Sequence, residues 1–372
     1  MPLAVHVKSY YKLNKKLGST DRRQVSHLCY SYYRIGKLLA KMPLANRITA
    51  ALYLCSPQPN SLLQQLNAAY NDNATLTMQE KLAALQQAQN SFGDSNAIFP
   101  LYENISTQLD IAALLQNQLQ QPYLYIRIRP KHLAKVLLTL QQLTVSYKIY
   151  DPFTIQLPNG FKVQDHFILN KEVVVQDYAS QKVMDNLLKV LKPKHNYTVW
   201  DCCAASGGKS ILLTDLYQGS LNLFVTDVRT SILENLEKRF FTARISNYKV
   251  AEHNLAKSPL GGDLQFEVIV CDVPCSGSGT WARTPEQLVF FKAKQLESYT
   301  FVQKKIALNA AQNLRPGGHL LYVTCSIFTA ENEQVVAHIL QHTKLILVQT
   351  NYITGYKHQA DTMYTALLTL PL

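Results

Sequence analysis

The stretch Tyr197–Ser210, YTVWDCCAASGGKS, decides the fold. An apolar strand ends on a carboxylate at Asp201, a loop of small residues follows, and Gly207 and Gly208 lead into a helix from Ser210. Small side chains and glycines at such a turn let backbone amides come close to a ligand, so the segment predicts a nucleotide-type pocket. A phosphate-binding loop would need a glycine five positions before Gly208, where Cys203 stands. A dinucleotide loop would need the spacing GxGxxG, which this loop lacks. Both of those cofactor classes are disfavoured.

Downstream the alternation continues through NLFVTD (222–227), a helix from Ser231, FEVIVCD (266–272), and a helix near Glu286 to Asn313. HLLYVTC (319–325), a helix from Asn332, LILVQ (345–349) and MYTALLTL (363–370) complete it. Strand and helix in repeated alternation specify a parallel sheet covered by helices on both faces, an α/β fold. The last two runs come close together after the final helix, which suits a sheet ending in an antiparallel edge strand.

Upstream the period changes. YLYIRIR (123–129) alternates as a strand, PKHLAKVLLTLQQL (130–143) reads as an amphipathic helix, and VSYKIY and FTIQL read as strands around turns at Asp151-Pro152 and Pro158-Asn159-Gly160. A small α/β module therefore precedes the larger domain. Before it, Leu62–Gln121 is rich in Gln, Asn, Ala and Leu, with helical stretches at Gln79–Gln89 and Leu109–Leu119. Asp21–Leu39 carries apolar residues at helical spacing, with Asp21 at a capping position.

The 372 residues, 47% hydrophobic, can bury more than one core. A net charge of +12 favours a polyanionic partner, because Lys and Arg that neutralise phosphates release condensed counterions. Ten Lys or Arg fall within residues 1–50 against the single acid Asp21, which places the docking surface at the N-terminal end. A solvated basic face is the plain alternative. Met1–Leu13 lacks an apolar run of signal-peptide length and no eighteen apolar residues occur in a row, so the chain reads as cytoplasmic. Seven cysteines, odd in number and scattered, argue for reduced thiols, and no zinc spacing occurs among them, so no metal is expected.

In an open α/β sheet, ligands bind beyond the carboxyl ends of the strands. Asp227 ends one strand, where a carboxylate can accept from two vicinal ribose hydroxyls, although a lone strand-end Asp is more often a helix cap. Asp272 and Cys275 leave the next strand in VIVCDVPCSGSGT, and Cys325 ends the following one in LLYVTCS, after a turn expected at Arg315-Pro316-Gly317-Gly318. A single cysteine at a strand end is ordinarily a small buried hydrophobe. Two on adjacent strand ends point to methylation at C5 of a pyrimidine. That carbon is too weak a nucleophile to attack a methyl sulfonium unaided, and a thiolate adding to C6 makes it enamine-like. An amino-group methyltransferase usually presents Asp or Asn, Pro, Pro and an aromatic, whereas Asp272 is followed by Val273, Pro274 and Cys275.

DCCAASGGKS, DVPCSGSGTW and YVTCSIFTAENEQVV together resemble the cofactor loop, Pro-Cys loop and Thr-Cys-Ser loop of the Sun/Fmu (RsmB/NOP) family of RNA cytosine-5 methyltransferases. The likeness runs from Tyr123 to MYTALLTL, about 250 residues. TDRRQVSHLCYSYYRIGK is similar, more weakly, to the NusB-like extension of bacterial ribosomal RNA members. The resemblance implies a Rossmann-like class I methyltransferase domain at 169–372, an RRM-like module at 119–168 and a helical NusB-like RNA-binding region at 1–118. It implies S-adenosylmethionine as cofactor, RNA as partner, 16S ribosomal RNA foremost, and a monomer away from membranes. Cys325 is then the nucleophile and Cys275 assists product release. Cys203, Ala204, Ala205, Ser206, Gly207, Gly208 and Lys209 wrap the cofactor, Asp227 holds its ribose, and Asp272 lies between cofactor and base. Lys209 and Arg283 contact the base or phosphates. Ser206 stands where the family commonly has Pro, Asn254 where an acidic adenine-side residue is usual, and Ala282 for the first of two basic residues. Methylation of transfer RNA, an RNA-binding assembly factor with little catalysis, and a protein or small-molecule methyltransferase are the alternatives.

Overall fold

The computed structural model describes residues 2–87, 95–192 and 196–372. Backbone contacts divide the chain into two compact units: residues up to Pro122 with Thr280–Ala293, and Tyr123–Gly279 with Lys294–Leu372.

The first unit is helical, with helices at Leu3–Leu13, Ser19–Arg34, Leu44–Cys55, Ser61–Leu66, Ala68–Asp72, Met78–Gln87 and Ile111–Gln118. The stretch expected at Gln79–Gln89 starts one residue earlier, and its last two residues lie outside the described residues. Asp21 acts from the third position of helix Ser19–Arg34, its carboxylate accepting from the Gly18 N–H at 2.9 Å. The helix stops at Arg34, short of Leu39. Gly36 turns the chain with a left-handed φ of 53°, and a Cβ there would lie 2.0 Å from the Ile98 carbonyl oxygen. Only glycine fits. The helix expected near Glu286–Asn313 is in fact two, Gln287–Phe290 and Ala293–Ala311. The break falls where Trp281, Leu288 and Phe291 are buried with the helical unit, Trp281 stacked on Phe99.

In the second unit, β1 (Leu124–Ile128), β2 (Lys148–Asp151), β3 (Thr154–Leu157) and β4 (Val173–Val175) pair antiparallel in the order β2-β3-β1-β4. The small sheet thus takes in a strand beyond residue 168. Ile126 and Ile128 share an apolar cluster with Val136 and Leu140 of helix Leu133–Gln142. The opposite face of β1 is buried too, Tyr125 at 2% exposure and Arg127 at 4%. Arg127 Nη1 lies 2.5 Å from Asp215 Oδ2, and Arg129 Nη2 lies 2.8 Å from Asp215 Oδ1. Asp215 belongs to helix Gly208–Leu216, so this ion-pair cluster fixes the small module to the helix that follows the glycine loop.

The larger sheet holds β5 (Tyr197–Asp201), β6 (Leu221–Asp227), β7 (Tyr248–Glu252), β8 (Phe266–Asp272), β9 (Leu314–Thr324), β10 (Ile346–Thr354) and β11 (Thr362–Thr369). Their order is β10-β11-β9-β8-β5-β6-β7. β5 to β9 are mutually parallel, and β11 runs antiparallel to both neighbours. The reversed strand is therefore one place in from the edge, with β10 folded back outside it. β7, at the far edge, has no counterpart among the strands expected from sequence: none of YKVAE is fully buried, so it carries no apolar run. Arg315-Pro316-Gly317-Gly318, expected as a turn, is a bulge inside β9, between the pairs Leu314–Phe266 and His319–Val268.

Alternate strand residues feed two cores. Val199, Val268, Val270, Leu321 and Val323 enter one cluster, and Trp200, Ile269, Cys271, Leu320 and Tyr322 the other. This is the period of two expected of strands covered on both faces. Strand order reverses between β5 and β8, which opens a crevice at their carboxyl ends. Among the described residues no helix is long and apolar enough to cross a membrane.

Asp215→Ala would leave the buried Arg127 guanidinium and the partly buried Arg129 guanidinium without their carboxylate. Breaking a buried pair from one side costs about 3–5 kcal/mol, so the urea midpoint should fall accordingly. An unchanged midpoint would show that other contacts hold the small sheet.

Candidate active site

The crevice is a cavity of about 530 Å³. Its walls come from the ends of β5 (Cys202, Cys203, Ala205), β6 (Asp227, Val228, Arg229), β7 (His253, Asn254, Leu255, Ala256) and β8 (Asp272, Val273, Pro274), with Val302 and Ile306 from helix Ala293–Ala311. Five of the expected cofactor residues, Cys203, Ala205, Asp227, Asn254 and Asp272, thus line one space. The other five do not line it. Ala204 donates its N–H to the Thr226 carbonyl at 2.9 Å, tying the loop to β6. Ser206 is gripped by Arg239, whose Nη1 donates to both its carbonyl and hydroxyl oxygens at 2.7 Å. Gly207 has a φ of 78°, and a Cβ there would lie 2.7 Å from Phe240 Cε1, so helix Thr230–Ala243 packs directly on the loop. Gly208 opens helix Gly208–Leu216, and Lys209 pairs with Asp272 at 2.5 Å.

Asp227 is buried. Its Oδ2 accepts from the Ala205 N–H at 3.0 Å, and its Oδ1 from the N–H and Nε of Arg229 at 3.1 and 3.0 Å. Arg229 Nη2 also donates to Oδ2 at 3.2 Å, so the four or so lone-pair sites of the ionised carboxylate are all engaged, two of them by the exposed Arg229 side chain, whose place a ligand hydroxyl would take. The exposed Arg229 covers this end of the cavity. Neither it nor His253 stands out in the sequence, since nothing in VRT or AEHN distinguishes them from polar residues on any solvated loop. Asn254 Oδ1 turns back to the Ala256 N–H at 3.1 Å.

Cys275 and Cys325 meet, with their sulfurs 3.3 Å apart. β8 and β9 are adjacent and parallel, so the loops leaving them emerge side by side. Glu331, fully buried, joins the loops. Its Oε1 accepts from the Ser276 N–H at 2.7 Å and from Gln303 Nε2 at 2.9 Å, and its Oε2 accepts from the hydroxyls of Ser276 and Ser326. Each cysteine is thus followed by a serine bound to the same carboxylate. Gly279 donates its N–H to the Cys325 carbonyl at 2.9 Å, and a Cβ on it would lie 2.0 Å from the Thr362 carbonyl oxygen, so this approach requires glycine. Glu331 stands in the quoted TAENEQVV segment, but its role depends on a fold that brings residues 276 and 326 together.

Charge is distributed unequally over these groups. The hydrogen bond to Cys325, then burial, push the Cys275 thiol well above its ordinary value, so it holds its proton. Burial would lower the Lys209 ammonium, but Asp272, followed by Cys325 and Asp201, holds it above the usual lysine value. A lysine cation therefore sits within electrostatic reach of the Cys325 sulfur. Asp201 accepts from the Ser210 hydroxyl at 2.6 Å, and its other oxygen is buried without a partner.

Residues 188–371 match the family model described as 16S rRNA methyltransferase RsmB/F. This stretch belongs to the RsmB/F methyltransferase family. The ribosomal RNA small subunit methyltransferase B of Yersinia enterocolitica is 24% identical over 329 residues, covering 85% of this chain and 73% of that one. The mouse 28S rRNA (cytosine-C(5))-methyltransferase is 26% identical over 269 residues, 69% of this chain and 32% of that one. In several further bacterial relatives of the same name the chain spans only 39–47% of their length. Among solved structures, PH0851 superposes with a TM-score of 0.71 at 20% identity, covering 97% of this chain and 93% of that one, a likeness of fold. The RsmB/F match contains the glycine loop, both cysteine loops and Glu331, but neither the small sheet nor the helical unit's first 122 residues.

Burial pushes the Asp201 carboxyl up to about 7, against the opposing Ser210 bond and Lys209 charge. A carboxyl raised above its ordinary 3.8 binds its proton more tightly folded than unfolded. Its stability contribution is complete below about pH 4 and is lost as pH rises through about 7. Asp201→Asn cannot ionise, so the gap in denaturant midpoint between about pH 5 and about pH 8 should narrow relative to the parent chain. An identical gap in both proteins would contradict this.

Proposed function

We propose that the chain transfers a methyl group from S-adenosylmethionine to C5 of a cytosine in RNA, with 16S ribosomal RNA as the substrate. The observation that carries the reading is the pair of sulfurs at 3.3 Å, held through their neighbouring serines by one buried carboxylate. The names of the Yersinia and mouse relatives support ribosomal RNA and the cytosine C5 position.

The crevice residues fit the cofactor. Asp227 faces the cavity with a fixed carboxylate suited to vicinal hydroxyls, Val228, Leu255 and Ile306 offer apolar surface for an adenine, and Asn254 lies beside them. Asp272 lies at the same wall, its carboxylate paired with Lys209. When bound, the cofactor supplies an electrophilic methyl group.

The remaining steps belong to the chain. Cys325, with the Lys209 ammonium in reach, attacks C6 as a thiolate, forming an S–C6 bond and pushing the ring electrons towards C5. C5 takes the methyl group, then gives up its proton to a base, and the electron pair released expels the Cys325 thiolate. Cys275, which holds its own proton, assists the release of product. Glu331 is a positioning residue: it fixes both loops without touching the base. The basic helical unit docks the RNA through its phosphates.

With radiolabelled cofactor and RNA, the parent chain should place label at cytidine C5. Cys325→Ala should lose both methylation and adduct, a fall on the order of 10⁶-fold as for a removed serine nucleophile. Cys275→Ala should accumulate a covalent protein–RNA adduct stable to denaturing electrophoresis. Methylation by Cys325→Ala at the parent rate would rule the mechanism out.

A further inference from the structure

Helix Ser19–Arg34 carries Arg23, His27, Tyr30 and Arg34 at steps of four, three and four residues, a spacing that places them on one helix face. That face lines a cavity of about 860 Å³ within the helical unit, closed opposite by the loop that includes Ser56 and Asn60. Among the described residues, no Asp or Glu lines it.

Arg34 is only 4% exposed. Its one hydrogen bond among the described residues runs from Nη2 to the Ala282 carbonyl oxygen at 3.3 Å, and its Nε is buried without a partner. None of the ion pairs of the described residues includes it. A guanidinium has five donors, and burying its charge unpaired is costly. An anion in the cavity would supply the missing charge. Arg23 and His27 are at the rim, and the Arg34 guanidinium carbon lies 5.5 Å from the centre of the Tyr30 ring, so aromatic surface adjoins the cation. The volume falls within the range of small-molecule sites, about 300–1,000 Å³, and exceeds what a lone inorganic phosphate requires.

We infer that this cavity binds one nucleotide of a single-stranded RNA segment. Arg34 meets the phosphate from inside, Arg23 and His27 meet the adjoining backbone, and Tyr30 supplies aromatic surface for a base. The inference rests on RNA being the substrate, as proposed above, and names where the helical unit holds it.

The test is the affinity of the full chain for a fluorescent single-stranded RNA of about twelve nucleotides, read by anisotropy over a range of salt concentrations. Arg23→Glu, His27→Glu and Arg34→Met should each weaken binding about tenfold, and each arginine change should lower the salt slope by about one, the value for a single phosphate no longer neutralised. If Arg34→Met fails to fold by circular dichroism, the two rim variants decide the matter. Parent-like binding by folded variants would overturn the inference. So would a free nucleoside monophosphate, or inorganic phosphate, binding as tightly as the RNA, since the occupant would then not be a strand. Methyl transfer to 16S ribosomal RNA is followed in parallel. Rim-dependent RNA binding with no methylation by the parent chain would overturn the proposed activity and leave this site standing. Full methylation and unchanged affinity in all three variants would overturn this site alone.

Discussion

One buried carboxylate organises the candidate site. Glu331 accepts hydrogen bonds from Ser276 and Ser326, the residues that follow Cys275 and Cys325, and from Gln303 beneath the Pro-Cys loop. Hydrogen bonds to an ionised acceptor are roughly twice as strong as neutral ones, and both Glu331 oxygens are engaged, although Gln303 Oε1 is buried without a partner among the described residues. The spacing of the two sulfurs therefore follows from a network that has no contact with a substrate. Parallel pairing of β8 and β9 brings the loops to the same end of the sheet, and the Glu331 bonds fix their separation.

Close packing supports the same geometry. Gly207 and Gly279 occupy positions where a single added carbon would collide with Phe240 or with the Thr362 carbonyl. The first lets helix Thr230–Ala243 press against the cofactor loop, and the second lets β11 press against the Pro-Cys loop. The Arg127–Asp215–Arg129 cluster and the Lys209–Asp272 pair then anchor the two ends of helix Gly208–Leu216. A rigid scaffold is thereby built around the ends of four parallel strands, while the exposed Arg229 is left at the cavity's mouth.

Much of this is legible in the sequence because its signals are local. The strand-loop-glycine-helix order of Tyr197–Ser210, the apolar strands at 266–272 and 319–325 and the cysteines at their ends depend only on near neighbours. The edge strand Tyr248–Glu252 is not legible because an edge needs no apolar run. The RPGG segment misleads because proline and two glycines signal a turn equally well when they form a bulge inside a strand. The split of the helix expected at Glu286–Asn313 is hidden for a different reason: Trp281, Leu288 and Phe291 are buried with residues distant in sequence. Glu331, Arg229 and the unpaired Arg34 share that property, since each acquires its role from partners, or from the lack of them, that only the fold determines.

If the Glu331 carboxylate aligns the two thiols for the proposed attack, removing its charge should disturb the chemistry and spare the cofactor. Adduct formation in a Cys275→Ala background, with and without Glu331→Gln, tests this most directly, alongside the affinity for S-adenosylhomocysteine. Loss of a charged hydrogen-bond acceptor worth about 1.5–3 kcal/mol should slow the adduct by roughly 10- to 100-fold while cofactor-product affinity stays constant. Adduct formation at the same rate in both proteins would contradict the alignment role.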